Sequence, residues 1–306
     1  MRIALLFNKE RPDTTGIYFE RAFRQLGHRV TVWPFDAAAR LPDRHDLYLR
    51  VDHGDRYEEG LPAWCRPSAF WVSDTHLPGP MRKLLRGARA YDVVLCAMRR
   101  GTELLRAAGI PAEWVRGGAC DPDIHRREEA QRAYDLGFVG TDGGTPRKFY
   151  LQALRERYPR SYLGLAPYDR MGAIYSRARI GFNYCPTQDT LTMRCFEIMA
   201  CGALLLLNEV PGHTHRDMGF VPGRHFALYR TPAELFRLCE HYLTHEEERR
   251  QMAEAGCQAT LAGHTYAHRA RLMAAIIGDR LGGRYREGLS TREPAAAAAR
   301  ASQKSA

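Results

Sequence analysis

The sequence predicts a two-part α/β protein in which each part is a parallel sheet covered by helices. Three observations predict it. Short apolar runs alternate with helical stretches along most of the chain, and parallel strands need crossover helices between them. The alternation stops over residues 117–133 and then restarts. The length, 306 residues, suits two domains of ordinary size.

The elements follow in order. Ile3–Phe7 reads as a buried strand. Thr14–Leu26 is helical in pattern, with Ile17, Phe19, Ala22, Phe23 and Leu26 on one broad face and Gly27 as its C-cap. Strands are expected at Val30–Phe35, Asp46–Val51, Ala69–Ser73, Val93–Ala97 and Glu113–Arg116. Helices are expected at Met81–Ala90 and Thr102–Ala108. The turn-rich Gly117–Asp123 and the charged Arg126–Arg132 then form a linker without apolar periodicity. Beyond it, strands are expected within Asp135–Gly140 and at Tyr162–Leu165, Ile180–Tyr184, Ala203–Asn208 and Phe226–Tyr229. Helices are expected at Pro146–Tyr158, Arg170–Arg177 and Leu191–Ala200, then at Pro232–Leu243, Glu246–Leu261 and Tyr266–Leu281. The pattern is that of two Rossmann-like domains, 1–118 and 134–281, joined by a linker at 119–133. The tail 282–306, rich in Ala, Arg, Ser and Gly, has too little apolar surface to offset ordering and is expected to be disordered.

The net charge of +10 suits an anionic ligand. No run of Lys and Arg with interleaved aromatics marks a nucleic-acid groove, and no apolar stretch approaches the length of a membrane span. The eight cysteines form no C-x-x-C pair and sit largely in apolar runs, so free buried thiols are expected, and with them a soluble cytoplasmic protein.

Four segments carry candidate chemistry. The first is Asn183–Asn208, a strand, a polar loop, a helix and a second buried strand. In an open α/β sheet, ligands sit beyond the carboxyl ends of the strands, at the N-termini of the following helices. Thr190 and Thr192 place hydroxyls there. Arg194 adds a fixed cation, and Glu197, three residues on, can accept two hydrogen bonds from a ribose diol. The plainer alternative is that Asp189 caps the helix while Glu197 pairs with Arg194 on a solvated face.

The second segment is Gly137–Lys148, with Gly140 after a strand and Arg147 and Lys148 at the start of a helix. Its glycines let backbone N–H groups approach a ligand, and its cations could neutralise a diphosphate. It fits neither G-x-x-x-x-G-K-[ST] nor G-x-G-x-x-G, and the missing glycine fingerprint also disfavours an NAD-dependent dehydrogenase. The third is Trp71–His76, where Asp74 and His76 follow an apolar strand and point into the crevice from the other half. His76 could contact the donor sugar or act as general base on an acceptor hydroxyl, with Asp74 orienting it or serving as base itself. Asp52-His53 is a rival pair. The fourth is the loop Lys9–Gly16, where Thr15 and Gly16 open a helix that faces the cleft or simply cap it. His213-x-His215 lacks a companion ligand at metal-site spacing, so no metal is expected.

With these residues in view, the chain resembles the GT-B glycosyltransferases, and among them the spore-maturation CgeB-type proteins with a family-1-like C-terminal domain. The resemblance rests on Thr192-Met193-Arg194-Cys195-Phe196-Glu197, Ala200-Cys201-Gly202-Ala203, Glu254-Ala255-Gly256 and His264-Thr265-Tyr266-Ala267-His268-Arg269. Arg21-Ala22-Phe23 and Leu26-Gly27-His28 are similar too, and the likeness covers nearly all of residues 1–275. It implies a GT-B fold with the acceptor on the first domain, the nucleotide on the second, and a last helix that crosses back to the first. Many such transferases carry two acids with seven residues between them, as Asp189 and Glu197 do here. By that likeness Glu197 holds the donor ribose and Asp189 lies near the donor sugar, and the spacing leans towards retention. Asp189 stands in place of the usual Glu, and Thr190-Leu191 in place of the familiar Gly-Phe, a departure that bears on the role of Asp189.

The expected activity is transfer of a sugar from a nucleotide-diphosphate sugar to a glycan, protein or small-molecule acceptor, without cofactor or metal. Arg147, Lys148, Arg194, Thr190, Thr192 and Gly140 would serve the diphosphate. Glu197 would serve the ribose, and Asp74, His76 and Asp189 the sugar chemistry. The alternatives are a nucleotide-sugar epimerase of the same fold and a non-catalytic nucleotide- or sugar-binding coat or scaffold protein.

Overall fold

The computed structural model describes residues 1–10, 14–42, 44–51, 56–186, 190–210 and 214–282. Asp52, His53, Asp189, His213 and the tail from 283 lie outside them.

The first lobe holds strands β1 (Arg2–Leu6), β2 (Arg29–Trp33), β3 (Leu47–Val51), β4 (Ser68–Val72), β5 (Val93–Cys96) and β6 (Ala112–Trp114), with helices α1 (Gly16–Gln25), α2 (Pro78–Gly87) and α3 (Arg99–Ala107). All its pairings are parallel, in the order β2-β1-β3-β4-β5-β6. Leu-Tyr-Leu-Arg-Val of β3 and Ser-Ala-Phe-Trp-Val of β4 are buried at every position. Strands covered by helices on both faces must be so, which is why they read as continuous apolar runs.

The second lobe holds β7 (Tyr134–Val139), α4 (Arg147–Arg157), β8 (Tyr162–Gly164), α5 (Met171–Arg177), β9 (Ala178–Asn183), α6 (Met193–Ala200), β10 (Leu204–Asn208), α7 (Thr214–Asp217), β11 (Ala227–Tyr229), α8 (Pro232–Thr244), α9 (Glu246–Gly263) and α10 (Tyr266–Leu281). Its sheet is again all parallel, in the order β11-β10-β9-β7-β8. The chain leaves β7 towards β8 and returns to the other side at β9, so the loops after β7 and β9 diverge at a topological switch point. Such points open the crevice where α/β sheets bind ligands.

The expected elements are present, with shifted ends. Helix α2 begins at Pro78 rather than Met81, because a proline suits the first helical turn. Helix α3 begins at Arg99, and α6 at Met193 rather than Leu191.

Helix α10 follows the second sheet in sequence but packs on the first lobe. Tyr266, Ala270, Met273 and Ile277 join the core formed by Phe19, Phe23 and the first sheet. Tyr266 stacks on Tyr18 of α1 at 4.8 Å. The helix starts with a capping box, in which the Thr265 hydroxyl accepts from the His268 N–H and the His268 ring faces the Thr265 N–H. Cys120 of the linker exchanges backbone hydrogen bonds with this start, its N–H donating to His264 O and its carbonyl accepting from Tyr266 N–H. Arg269, buried to 4% exposure, donates to the carbonyls of Gly118 and Gly263. Thus His264–Arg269, matched by resemblance, is a structural clasp between linker and last helix. Gly118 has φ +69°, and a methyl there would run into the Phe196 ring. Arg269→Ala strands two buried carbonyls, and the expected loss is about 3 kcal/mol, read as a lower urea midpoint in equilibrium unfolding.

Candidate functional site

Helix α6 turns two faces to two surroundings. Met193, Phe196, Glu197 and Ala200 fall at helical spacings along one stripe. That stripe faces the junction between the lobes: the Tyr266 hydroxyl reaches Met193 Sδ at 2.8 Å, and Phe196 packs on His264. Arg194, on the flank, reaches across to the end of β7. Its Nε donates to Val139 O at 2.8 Å and its Nη1 to Asn183 Oδ1 at 2.9 Å, and its guanidinium lies 4.3 Å from the centre of the Phe138 ring.

Arg147 approaches the same ring from α4, at 5.9 Å, while its Nε donates to Asp142 O. Burial, then the charge of Arg194, pushes the Arg147 guanidinium below its usual pKa. Among the described residues neither arginine has a carboxylate within ion-pair distance. Two cations are therefore held together at the switch point, each feeling a carboxylate only at longer range, Asp142 for Arg147 and Glu197 for Arg194. Lys148, next along α4, is exposed.

The glycines do something other than expected. Gly140, with φ +146°, and Gly143, with φ +62°, make room for the arginines: a methyl on Gly140 would strike Arg194 Nη2, and one on Gly143 would strike Arg147. The Gly140 N–H donates to Gly164 O rather than facing a ligand.

Asn183 is the hub that sequence reading passed over. It is fully buried at the end of β9. Its Oδ1 holds Arg194, and its Nδ2 reaches Thr192 Oγ1 at 2.9 Å, Cys195 Sγ at 3.1 Å and Cys185 Sγ at 3.3 Å. The Thr192 hydroxyl is thereby drawn into this network and does not cap α6. Hydrogen bonding from Cys195 pulls the Cys185 thiol pKa down despite burial. All eight cysteines are free and buried. Thr190 is buried where the chain after β6 closes on it: a methyl on Gly117 would stand 3.0 Å from both Thr190 Oγ1 and Ala97 Cβ. This contact sets the carboxyl end of the first sheet against the start of α6.

Glu197 is buried, with 3% of its side chain exposed, and does not pair with Arg194. The solvated-face alternative fails because position 197 belongs to the apolar stripe. Burial raises its pKa to about 7, with Arg194 partly offsetting the rise. Tyr18 of α1, Tyr175 of α5 and Tyr266 of α10 surround it closely enough to feel its charge. His125, from the linker, stands 3.8 Å from its Oε1. Nothing in the sequence singles out this histidine, a lone residue beside a charged stretch.

From the first lobe, Asp74 and His76 lie at the carboxyl end of β4. Asp74 is half-buried and accepts from the Tyr57 hydroxyl at 3.4 Å, while His76 is exposed. At the start of α1, Thr14 rather than Thr15 makes the local cap, its hydroxyl accepting from the Gly16 N–H. Gly16 is there because a methyl would run into the Phe7 ring.

The comparisons with known proteins fit this geometry. Residues 126–275 match a family model described as glycosyl transferase-like. No curated protein matches the chain. Among solved structures, HepE of Anabaena, crystallised with UDP and glucose, aligns with TM-score 0.64 at 10% identity, covering 90% of this chain and 99% of its own. The sucrose-phosphate synthase of Thermosynechococcus elongatus aligns with TM-score 0.63 at 11% identity, covering 95% and 100%. A DNA-modifying β-glucosyltransferase aligns with TM-score 0.61 at 16% identity, covering 90% and 98%. The chain thus has the GT-B fold, two parallel-sheet lobes facing one another, and from residue 126 to residue 275 it carries a glycosyl transferase-like sequence.

Proposed function

We propose that the protein is a glycosyltransferase of the hexosyltransferase kind, taking its sugar from a nucleotide-diphosphate donor. One observation carries the reading: Arg147 and Arg194 both approach the Phe138 ring at the switch point, and neither has a described carboxylate within ion-pair distance. In sugar transfer the bond to the anomeric carbon breaks and a diphosphate leaves with the electron pair. Preorganised cations lower that barrier because they need no rearrangement as the charge develops. The arginine pair supplies such charge from the protein itself, which supports a transfer that needs no metal ion.

In this reading Glu197, one turn into α6 from the N-terminus that faces the diphosphate, accepts the ribose hydroxyls. Thr190 and Thr192 shape the entry to that helix, and Lys148 adds long-range attraction at its rim. Asp74 and His76, on the facing lobe, take the acceptor proton, and Asp189 attends the donor sugar. The neighbours that hold UDP, glucose or uridine diphosphoglucose support a uridine donor, and the His264–Arg269 sequence motif supports a likeness to the CgeB-type proteins.

Titration calorimetry with UDP and with inorganic pyrophosphate separates the roles. Arg194→Ala or Arg147→Ala should weaken both ligands by about 10- to 100-fold, the worth of a charge-assisted hydrogen bond. Glu197→Ala should weaken UDP by about tenfold and leave pyrophosphate unchanged, because only UDP carries a ribose diol. Equal UDP affinity in Glu197→Ala and the parent chain counts against the ribose contact. Release of a modified nucleotide sugar from donor alone would point to epimerisation instead of transfer.

A further inference from the structure

We infer that His125 is a positioning residue for Glu197: its Nε2–H, carried on the chain between the lobes, takes one carboxylate oxygen when the lobes close on a nucleotide and leaves the other for the ribose. This rests on the donor-site reading above and deepens it.

The tautomer follows from the hydrogen bonds. The Asp121 backbone N–H points at His125 Nδ1 from 3.0 Å, so Nδ1 is the acceptor and the ring proton sits on Nε2. The ring is fully buried, and burial pushes its pKa down to about 3, so it stays neutral. Its Nε2 has no hydrogen-bond partner. A buried donor left so is costly, and it is kept in native structures where something else completes it. The atom that faces it is Glu197 Oε1, at 3.8 Å, beyond hydrogen-bond reach by about 1 Å.

The position of His125 makes that gap adjustable. It lies between β6, the last strand of the first sheet, and β7, the first of the second. Its turn is held to the first lobe by Arg21 of α1, which bonds Asp121 at 2.5 Å and Asp123 at 2.9 Å. Its ring also packs on Tyr18 of α1, at 5.5 Å. Just beyond it the chain is tied to α5 of the second lobe, where the Ser176 hydroxyl donates to Arg126 O and accepts from the Glu128 N–H. His125 thus sits where the hold of the first lobe passes to that of the second, and a small rotation of the first lobe about this point shifts its ring against α6.

The surroundings leave Glu197 in need of such a donor. Arg194 is the cation that favours its charged form, and it is already committed to Val139 and Asn183. The groups facing it from α1, α5 and α10 are Tyr18, Tyr175 and Tyr266. Burial raises all three, so they are neutral at neutral pH. Cys120 of the linker and Cys201 at the end of α6 are likewise raised and neutral. Asp121, behind the histidine, is paired with Arg21. A ribose diol donates two hydrogen bonds, and only an ionised carboxylate held in one orientation accepts both well. A raised carboxylate is protonated on the acid side, so nucleotide affinity rises with pH as Glu197 ionises. A donor on Oε1 favours the ionised form and moves that rise to lower pH.

The test is the affinity for UDP between pH 5.5 and 9, on the full chain, for the parent, His125→Phe, His125→Gln and Glu197→Gln. His125→Phe keeps an aromatic ring there and removes the Nε2–H, together with the Nδ1 acceptor of the Asp121 N–H. Its affinity at pH 6 should fall about tenfold, its midpoint should move up by about one pH unit, and at pH 9 it should approach the parent. His125→Gln, which restores a donor, should recover part of the shift, and Glu197→Gln should lose this component altogether. A uniform drop at every pH, with an unmoved midpoint, makes His125 merely structural and overturns the inference. Should His125→Phe not fold, imidazole NMR of the ¹⁵N-histidine parent chain decides. The His125 Nε2 proton must move downfield when UDP binds, and an unmoved signal overturns the inference equally. Failure of the parent chain to bind UDP at any pH sinks the donor-site reading itself, a different result from binding with an unmoved midpoint.

Discussion

Arg269 grips the carbonyl of Gly118 at the point where the chain leaves the first lobe, and the cleft takes its geometry from that grip. The guanidinium is 4% exposed and has no carboxylate partner among the described residues. It is held by backbone carbonyls and by the His264 ring, and burial with the nearby charge of Arg116 lowers its pKa to about 10. Tyr266 completes the tie by stacking on Tyr18 and touching Met193, so three residues of one short segment bind the first lobe, the linker and α6 together. Because both sheets are parallel, each has a single carboxyl edge. The tie is what makes the two edges meet.

At that meeting the second lobe gathers charged groups that the fold leaves without ion pairs among the described residues. A typical surface arginine finds a carboxylate or water, and the pair contributes little to stability. Arg147 and Arg194 instead spend hydrogen bonds on carbonyls and an asparagine and lie near one ring, that of Phe138. Glu197, a helical turn deeper, is a carboxylate whose ionisation the fold opposes. Its raised pKa means that it contributes most to stability when protonated, below the ordinary carboxylate range, and that this contribution is lost as pH rises through about 7. Cations without an ion-pair partner beside a disfavoured anion are a poor arrangement for stability alone, and the proposed donor, with phosphate for the first and hydroxyls for the second, accounts for it.

Much of this is visible in the residues before any folding is known. Arg194 and Glu197 stand out because charged groups interrupt an apolar helix between two buried strands. Gly140 and Gly143 stand out as a glycine cluster after a strand. Their jobs were less legible. A glycine gives the same sequence signal whether it admits a phosphate or an arginine from elsewhere in the chain, and here it admits arginines. Asn183 was silent because one asparagine at a strand end is ordinary, and it becomes the hub only when Cys185, Thr192, Cys195 and Arg194 converge on it. His125 gave no signal at all.

The sequence by itself determined the two parallel sheets, the break between them and the segments that end at their carboxyl edges. Strand and helix periodicities are local, and the apolar runs of β3, β4 and β10 can be satisfied only by burial on both faces. Tertiary structure alone decided which side chains from those segments meet. Arg147 and Arg194 are 47 positions apart, Glu197 and His125 are 72 apart, and α10 returns across the whole second lobe to reach α1. Contacts of that kind depend on where one lobe is held against the other, and the hold is made by a few buried groups whose partners no local pattern specifies.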